Sequence, residues 1–285
     1  MTQLIDGRIA AQAIKKRVRA DVEDLLAKGR RSPRLAVILV GDHPASEVYV
    51  KNKAYACKAA GIDVVLHRLP KDTSQKRLLD LIAQLNEDDA VDGILPQLPL
   101  PSHISRTAIV LAVDSKKDVD GLTPLNQGLL DWNLPGIRPC TPSGIVELLK
   151  FSGTPIKGAL AAVLGRSLLV GAPTANMLSH EGATTVSMHS ESRDTRGLTR
   201  QADIVIVATG HHHLVRGDWI KPGATVIDVG IHRMPDGTIE GDVHFASASK
   251  VAGKISPVPG GVGPMTIASL LVNCVDAYKL GKLRG

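Results

Sequence analysis

Short aliphatic runs alternate with helix-length amphipathic segments along most of this chain. That alternation restricts it to parallel sheet covered by helices on both faces, an α/β architecture. Ile9–Leu26 carries apolar residues at helical spacing. Arg34–Val40 is β-rich and ends at Gly41; a helix over about Ala45–Ala60 follows, stopped by Gly61, and Val64–Leu69 reads as the next strand. Ser74 caps a helix that ends near Asn86, and Gly93–Leu95 opens an apolar run cut short by Pro96. From Asp114 to Pro142 the periodicity fades and Pro, Gly, Asp and Asn accumulate, which marks a domain crossing. A second series then begins: strand Ala161–Leu164, helix Val170–His180, and strands Thr184–Met188, Asp203–Ala208 and Thr225–Val229. A glycine-proline loop, Pro257–Pro264, leads into a helix over Met265–Leu280. A chain of 285 residues has room for both series as separate cores. Hydrophobic residues make up 44% but aromatics only 2%, so those cores are aliphatic, as buried parallel strands usually are.

The same composition excludes several classes. The net charge of +6 is spread along the chain, without the basic stripe and interleaved aromatics of a nucleic-acid binder. Cys57, Cys140 and Cys274 lie far apart with no CxxC spacing, which points to free thiols in a reducing compartment and to no zinc site. His211, His212 and His213 are consecutive, so their rings are expected to diverge, and no metal is expected. No stretch approaches a membrane span, and Met1–Ile14 lacks a signal-peptide core; the expectation is a cytoplasmic protein that binds neither nucleic acid nor membrane.

Candidate chemistry gathers at a few points. Tyr49 and Lys53 stand four apart on the second helix and share a face, an aromatic ring beside an amine. Alone, such a pair is commonplace on solvated helices. Gln97 follows a strand that prolines end, at the carboxyl edge where open α/β sheets place their sites. Lys117-Asp118-Val119-Asp120-Gly121 sets two acids beside a flexible glycine. Gly165-Arg166-Ser167-Leu168-Leu169-Val170-Gly171 joins a strand to a helix N-terminus, either as a bare turn or as a phosphate cradle. At the end of the next strand, Glu191 suits the ribose hydroxyl of NAD, whereas Arg166, Ser190 and Arg193 suit a 2′-phosphate. The residues favour NADP over NAD by two arginines and a serine against one carboxylate. Thr266, at the end of Pro257–Thr266, is positioned to cap the last helix or to touch a ligand.

Taken together and in order, these stretches resemble the bifunctional methylenetetrahydrofolate dehydrogenase/methenyltetrahydrofolate cyclohydrolase family. They are Tyr49-Val50-x-x-Lys53, Asp92-Gly93-Ile94-Leu95-x-Gln97-Leu98-Pro99-Leu100-Pro101, Lys117–Gly121, Pro139-Cys140-Thr141-Pro142, Gly165-Arg166-Ser167-x-x-Val170-Gly171-x-Pro173, Asp228-Val229-Gly230-Ile231 and Pro257–Thr266. The resemblance implies two α/β domains around a cleft. Residues 1–140 with 265–285 would form the folate domain, completed by the C-terminal helix. Residues 141–264 would form a Rossmann domain through which the chain dimerises. It implies oxidation of 5,10-methylenetetrahydrofolate with NADP⁺ and hydrolysis to 10-formyltetrahydrofolate, a one-carbon supply for purine biosynthesis. Lys53 would be the catalytic lysine, Gln97 would hold it or the attacking water, Tyr49 would stack on the aminobenzoyl ring, and Asp120 would bond the pterin. Leu98, Pro257 and Gly261 would complete the folate contacts. Gly165, Arg166, Ser167, Ser190 and Ile231 would hold the cofactor.

The chain departs from the family pattern at several points. Leu122-Thr123 stand where Phe-His is common, Tyr55 replaces a second lysine, Pro96 replaces a small aliphatic, Glu191 occupies a place often basic, and His211-His212 replace Lys-Pro. Two rival readings stay open at this level: a dehydrogenase with a weak hydrolytic step, and a dinucleotide-binding protein without turnover.

Overall fold

The computed structural model describes residues 2–282. The chain packs into two compact units, Ala13–Cys140 with the chain from Ser269, and Thr141–Ala268 with the chain up to Gln12. Residue 1 and residues 283–285, included in the expected domain limits, lie outside the described residues.

In chain order the elements are β1 (Gln3–Leu4), α1 (Gly7–Ala27), β2 (Arg34–Val40), α2 (Pro44–Ala59), β3 (Asp63–Leu69), α3 (Gln75–Glu87), β4 (Gly93–Pro96), α4 (Arg106–Ala112), α5 (Pro124–Asp131) and α6 (Cys140–Phe151). They continue with β5 (Leu160–Leu164), α7 (Gly171–His180), β6 (Thr184–Met188), α8 (Thr195–Thr199), β7 (Ile204–Val207), β8 (Thr225–Asp228), β9 (His232–Arg233), β10 (Ile239–Glu240), α9 (Phe245–Ala248), β11 (Lys254–Ile255) and α10 (Val262–Lys282). Among these helices none is long and apolar enough to cross a membrane.

The Ala13–Cys140 unit is built on a parallel sheet ordered β3-β2-β4. Central β2 reads Arg-Leu-Ala-Val-Ile-Leu-Val and is buried from Leu35 onward, which is why its sequence is an unbroken apolar run. Ala36, Ile38 and Val40 meet Leu78, Ile82 and Leu85 of α3 and Ile109 of α4 in one core. Ser74 caps α3 by accepting from Arg77 N–H at 3.2 Å. The chain runs from β2 through α2 to β3 on one side, and reaches β4 on the other. A topological switch point therefore lies at the carboxyl ends of β2 and β4.

In the Thr141–Ala268 unit the sheet is ordered β1-β11-β8-β7-β5-β6, with all pairings parallel. Its core joins Ala162, Leu164, Val205, Val207, Val226 and Ile255 of the strands to Val215, Val243 and Ala248. Here too the order reverses, between β5 and β7. The expected limits keep all of residues 1–140 together, yet Gln3 and Leu4 pair with Lys254 and Ile255 at this sheet's edge. A two-residue strand carries too little pattern to announce its partner.

Three further differences have local causes. The aperiodic stretch Asp114–Pro142 contains α5, whose eight residues start at Pro124 and span barely two turns. Helix α6 has no clear signal in the sequence, since Thr141-Pro142 and Gly144 break its propensity near the start. Helix α10 starts at Val262, inside the glycine-proline loop, so Thr266 is not its cap. Thr266 Oγ1 instead meets Val262 O at 3.3 Å and Thr141 Oγ1 at 3.1 Å.

Candidate active site

Lys53 lies one helical turn beyond Tyr49 on α2, and both are half-buried. Its Nζ donates to Gln97 Oε1 at 3.1 Å. Gln97 is 8% exposed and directly follows β4; its N–H extends the ladder to Ile38 O at 2.8 Å. Its amide nitrogen donates to Leu98 O at 2.5 Å, which orients the carboxamide so that its oxygen faces the amine. Helix α2 leaves the end of β2 and Gln97 leaves the end of β4. The lysine and the carboxamide thus meet at the switch point that the sheet order creates.

The two acids of the Lys117–Gly121 motif have separate uses. Ile94 N–H bonds Lys117 O at 2.7 Å, and Ile94 and Asp118 form a parallel bridge, so the motif runs beside β4. Lys117 Nζ donates to the carbonyls of Leu85, Asn86 and Asp88 at 2.9, 2.7 and 2.8 Å, satisfying groups at the end of α3. Asp118 is buried and accepts from Thr123 N–H at 2.7 Å and Asn126 Nδ2 at 3.0 Å; it is a structural acid. Asp120 has a different setting. Burial raises its carboxyl above the usual range, while the Lys53 charge pulls the other way. Cys140 shares this environment: burial, then Asp120, pushes its thiol well up, so it is a neutral neighbour and not a nucleophile.

Gly121 is required at the turn after Asp120. It sits at φ 69°, and a Cβ there would fall 2.5 Å from Arg138 C. Asn273 of α10 donates to Val119 O and Arg138 O, both at 2.8 Å, and so ties the two sides of this turn together. Neither Asn273 nor Cys140 is marked as a site residue by the sequence, because their partners are backbone groups or lie far away in the chain. A cavity of about 20 Å³, the scale of one water, is lined by Pro96, Leu98, Ile109, Asp118, Asp120 and Leu122. Pro96 and Leu122, two departures from the family pattern, therefore shape its wall. Tyr55 is 77% exposed and stands away from the lysine–glutamine contact.

In the other unit the expected cofactor residues stand at strand carboxyl ends. Gly165, Arg166 and Ser167 follow β5, Ser190 follows β6, and Ile231 follows β8. Gly165 has φ 109°, and a Cβ there would lie 2.2 Å from Ala208 O. Gly171 heads α7, where no side chain caps the helix, and a Cβ there would fall 1.9 Å from Gly165 O, so the turn leaves no room for a side chain. Arg166, Ser190, Glu191 and Arg193 are all exposed, and Ile231 is 51% exposed. These features fit a dinucleotide. Pro257 is half-buried and Gly261 buried in the loop before α10, where Gly7 N–H bonds Gly260 O at 2.9 Å.

Two carboxylates to which sequence reasoning gives no role organise these loops. Asp228, at the end of β8, accepts from Gly230 and Asp242 N–H through Oδ1 and from Val243 N–H through Oδ2, each at 2.9 Å. Asp242 is fully buried and accepts from Thr209 N–H at 2.6 Å and Gly210 N–H at 2.8 Å. Asp228 falls in the Asp228–Ile231 stretch without a role assigned to it, and the signal for Asp242 is Gly241 beside it, a position where a Cβ would meet Asp228 Oδ2 at 1.8 Å.

The expectation about the histidines is overturned. His212 and His213 do not diverge; their rings stack with centroids 3.7 Å apart. His213 has φ 55°, and this left-handed turn brings consecutive side chains to one side.

Comparison with known proteins places these features. Residues 5–120 match the model of the tetrahydrofolate dehydrogenase/cyclohydrolase catalytic domain, and residues 139–282 match that of the NAD(P)-binding domain. The chain is 51% identical to the "Bifunctional protein FolD" of Bordetella petrii over 96% of this chain and 93% of that protein. It superposes on the crystal structure of the bifunctional FolD of Campylobacter jejuni with a TM-score of 0.95, at 47% identity, covering 98% of this chain and 99% of the other. The dehydrogenase-cyclohydrolase of Trypanosoma brucei, solved with NADP cofactor and an inhibitor, is 40% identical with a TM-score of 0.94, over 100% of this chain and 99% of the other. The chain belongs to the tetrahydrofolate dehydrogenase/cyclohydrolase family.

Proposed function

We propose that this chain oxidises 5,10-methylenetetrahydrofolate to 5,10-methenyltetrahydrofolate with NADP⁺ and hydrolyses that product to 10-formyltetrahydrofolate. The observation that carries the reading is the contact between Lys53 Nζ and Gln97 Oε1, made at a sheet's carboxyl edge beside Asp120. When bound, NADP⁺ supplies the acceptor for the hydride that leaves the methylene carbon. The chain's own groups position the substrate and move the proton.

Tyr49 stacks on the aminobenzoyl ring, Asp120 hydrogen-bonds the pterin, and Leu98, Pro257 and Gly261 complete the substrate contacts. Loss of hydride leaves a cation spread over N5, the bridging carbon and N10. Water adds to that carbon and loses one proton to solvent, leaving a neutral carbinolamine. Its remaining hydroxyl proton leaves as the carbon–N5 bond breaks and N5 takes up one proton, so one proton is released overall. Lys53 carries the proton between water and nitrogen, and Gln97 fixes the amine in reach. On the cofactor side, Gly165 and Gly171 allow close approach of the diphosphate. Arg166, Ser167 and Ser190 would hold the phosphate groups of NADP⁺, and Ile231 would complete the cofactor contacts. Tyr49, Lys53, Gln97, Leu98 and Asp120 belong to residues 1–140 with 265–285, and Pro257, Gly261 and the cofactor contacts to 141–264, in a cytoplasmic homodimer joined through the dinucleotide-binding domain.

A paired assay tests the reading: purified protein, methylenetetrahydrofolate, and either NADP⁺ or NAD⁺, with reduced cofactor and methenyl product followed together. Cofactor reduction with formyl product appearing faster than spontaneous hydrolysis is the expected result. Accumulating methenyl product would remove the hydrolytic half, and no reduction with either cofactor would remove the whole.

A further inference from the structure

Apart from the folate and cofactor residues, four histidines gather with two carboxylates at the carboxyl end of β7. His212 and His213 come from the loop after β7, and His232 and Glu240 face each other across the antiparallel β9–β10 pair. His244 follows Val243. The Nε2 atoms of His212 and His213 converge on one oxygen, Glu240 Oε2, at 2.5 and 3.1 Å. His232 stands edge-on to His212 at 5.3 Å, and His244 edge-on to His213 at 4.9 Å.

This arrangement is held from outside the cluster. Asp242 Oδ2 takes the N–H groups of Thr209 and Gly210 and the Thr209 hydroxyl, the last at 2.9 Å. Its other oxygen takes His232 Nε2 at 2.8 Å. Val215 and Val243 form a parallel bridge, and His244 N–H bonds Val215 O at 2.8 Å. The segment that bears His212 and His213 is thus clamped on both sides to the segment that follows Glu240.

We propose that His212, His213 and Glu240 form a binding site for one divalent transition metal of the zinc class. Two imidazoles and a carboxylate are a donor set for zinc, cobalt or nickel, whereas magnesium and calcium prefer all-oxygen shells. The three ligand atoms lie within 4.8 Å of one another. Tetrahedral bonds of about 2.0–2.1 Å place ligand atoms roughly 3.3 Å apart, so the closest pair must open by under about 1 Å. His232 and His244 serve as walls, since Asp242 holds His232 Nε2 and Ser247 Oγ meets His244 Nδ1 at 2.8 Å. Glu240 is 39% exposed at its side chain and His212 35%, so an ion can enter from solvent and keep water in its fourth position. Cys57, Cys140 and Cys274 are buried and do not compete for it. The bound ion would pin the loop after β7 to the β9–β10 hairpin.

The test uses full-length protein without a histidine tag, stripped with chelator, then titrated with Zn²⁺ by calorimetry and with Co²⁺ by visible absorption. One Zn²⁺ per chain and tetrahedral cobalt bands are expected. His212→Ala and Glu240→Gln should each weaken Zn²⁺ binding by roughly thirtyfold or more, while His43→Ala, at the exposed residue before α2, leaves it unchanged. Glu240→Gln keeps an oxygen acceptor for the histidines, so it preserves the fold if His212→Ala does not. No Zn²⁺ uptake by the wild type, equal uptake by Glu240→Gln, or equally tight Mg²⁺ binding would overturn the proposal.

Discussion

Replacing Asp228 by asparagine should change how stability depends on pH, because two opposed effects act on this carboxylate. Three backbone N–H groups favour its ionised form, and its 4% exposure disfavours it. Burial wins: it raises the group from 3.8 to about 6 against the N–H groups of Val243, Asp242 and Gly230, with the Asp242 charge adding to the rise. An acid whose folded value lies above its unfolded value binds its proton more tightly when folded. Its stabilising contribution is complete below the unfolded value and lost as pH rises through about 6. At ~1.4 kcal/mol per unit the total is about 3 kcal/mol, and about half of it falls between about pH 5 and pH 8. Asparagine does not titrate, but its amide turns a donor toward one of the three N–H groups, at a cost of roughly 1–3 kcal/mol. Urea unfolding of both proteins across that range should show the variant less stable at the acidic end, with the gap narrowing by about 1.4 kcal/mol toward the alkaline end. A gap that stays constant or widens would mean that the N–H groups outweigh burial and that Asp228 ionises in the ordinary range.

Other substitutions probe the site directly. Lys53→Met should lower methenyl hydrolysis by roughly 10²–10⁴-fold while folate still binds; normal hydrolysis in that variant would take the proton carrier away from Lys53. Arg166→Ala should weaken NADP⁺ by roughly 1.5–3 kcal/mol, the worth of a charge-assisted hydrogen bond, and NAD⁺ by much less. Equal losses in a fluorescence titration would place Arg166 away from the 2′-phosphate. Gly165→Ala should reduce thermal stability and cofactor affinity together, because its Cβ would stand 2.2 Å from Ala208 O at φ 109°. A wild-type melting temperature and affinity would show that the β5–α7 turn tolerates a side chain.

Much of the fold is legible in the sequence because buried parallel strands need unbroken aliphatic runs, and β2, β5 and β7 each supply one. Strand carboxyl ends are where such sheets place ligands, so Gln97 and Gly165 stand out from the order of residues alone, whereas Ile231 comes only from the family resemblance. Elements below about two turns, or without a pattern of their own, are not legible: β1 takes its place only from its partner β11, and α5 is too short to show a period.

Within the site, the sequence by itself determined the residue types and the strand ends that carry them, since local spacing and backbone chemistry dictate both. Only the tertiary structure decided how they are used. It separated two neighbouring acids, giving Asp118 to a backbone N–H and an amide while leaving Asp120 under the Lys53 charge. It assigned Asp228 and Asp242 to hold loops that begin far apart in the chain. It turned His212 and His213 onto one face through a single left-handed residue. Such outcomes depend on which groups lose water together, and that depends on packing between segments that local sequence does not connect.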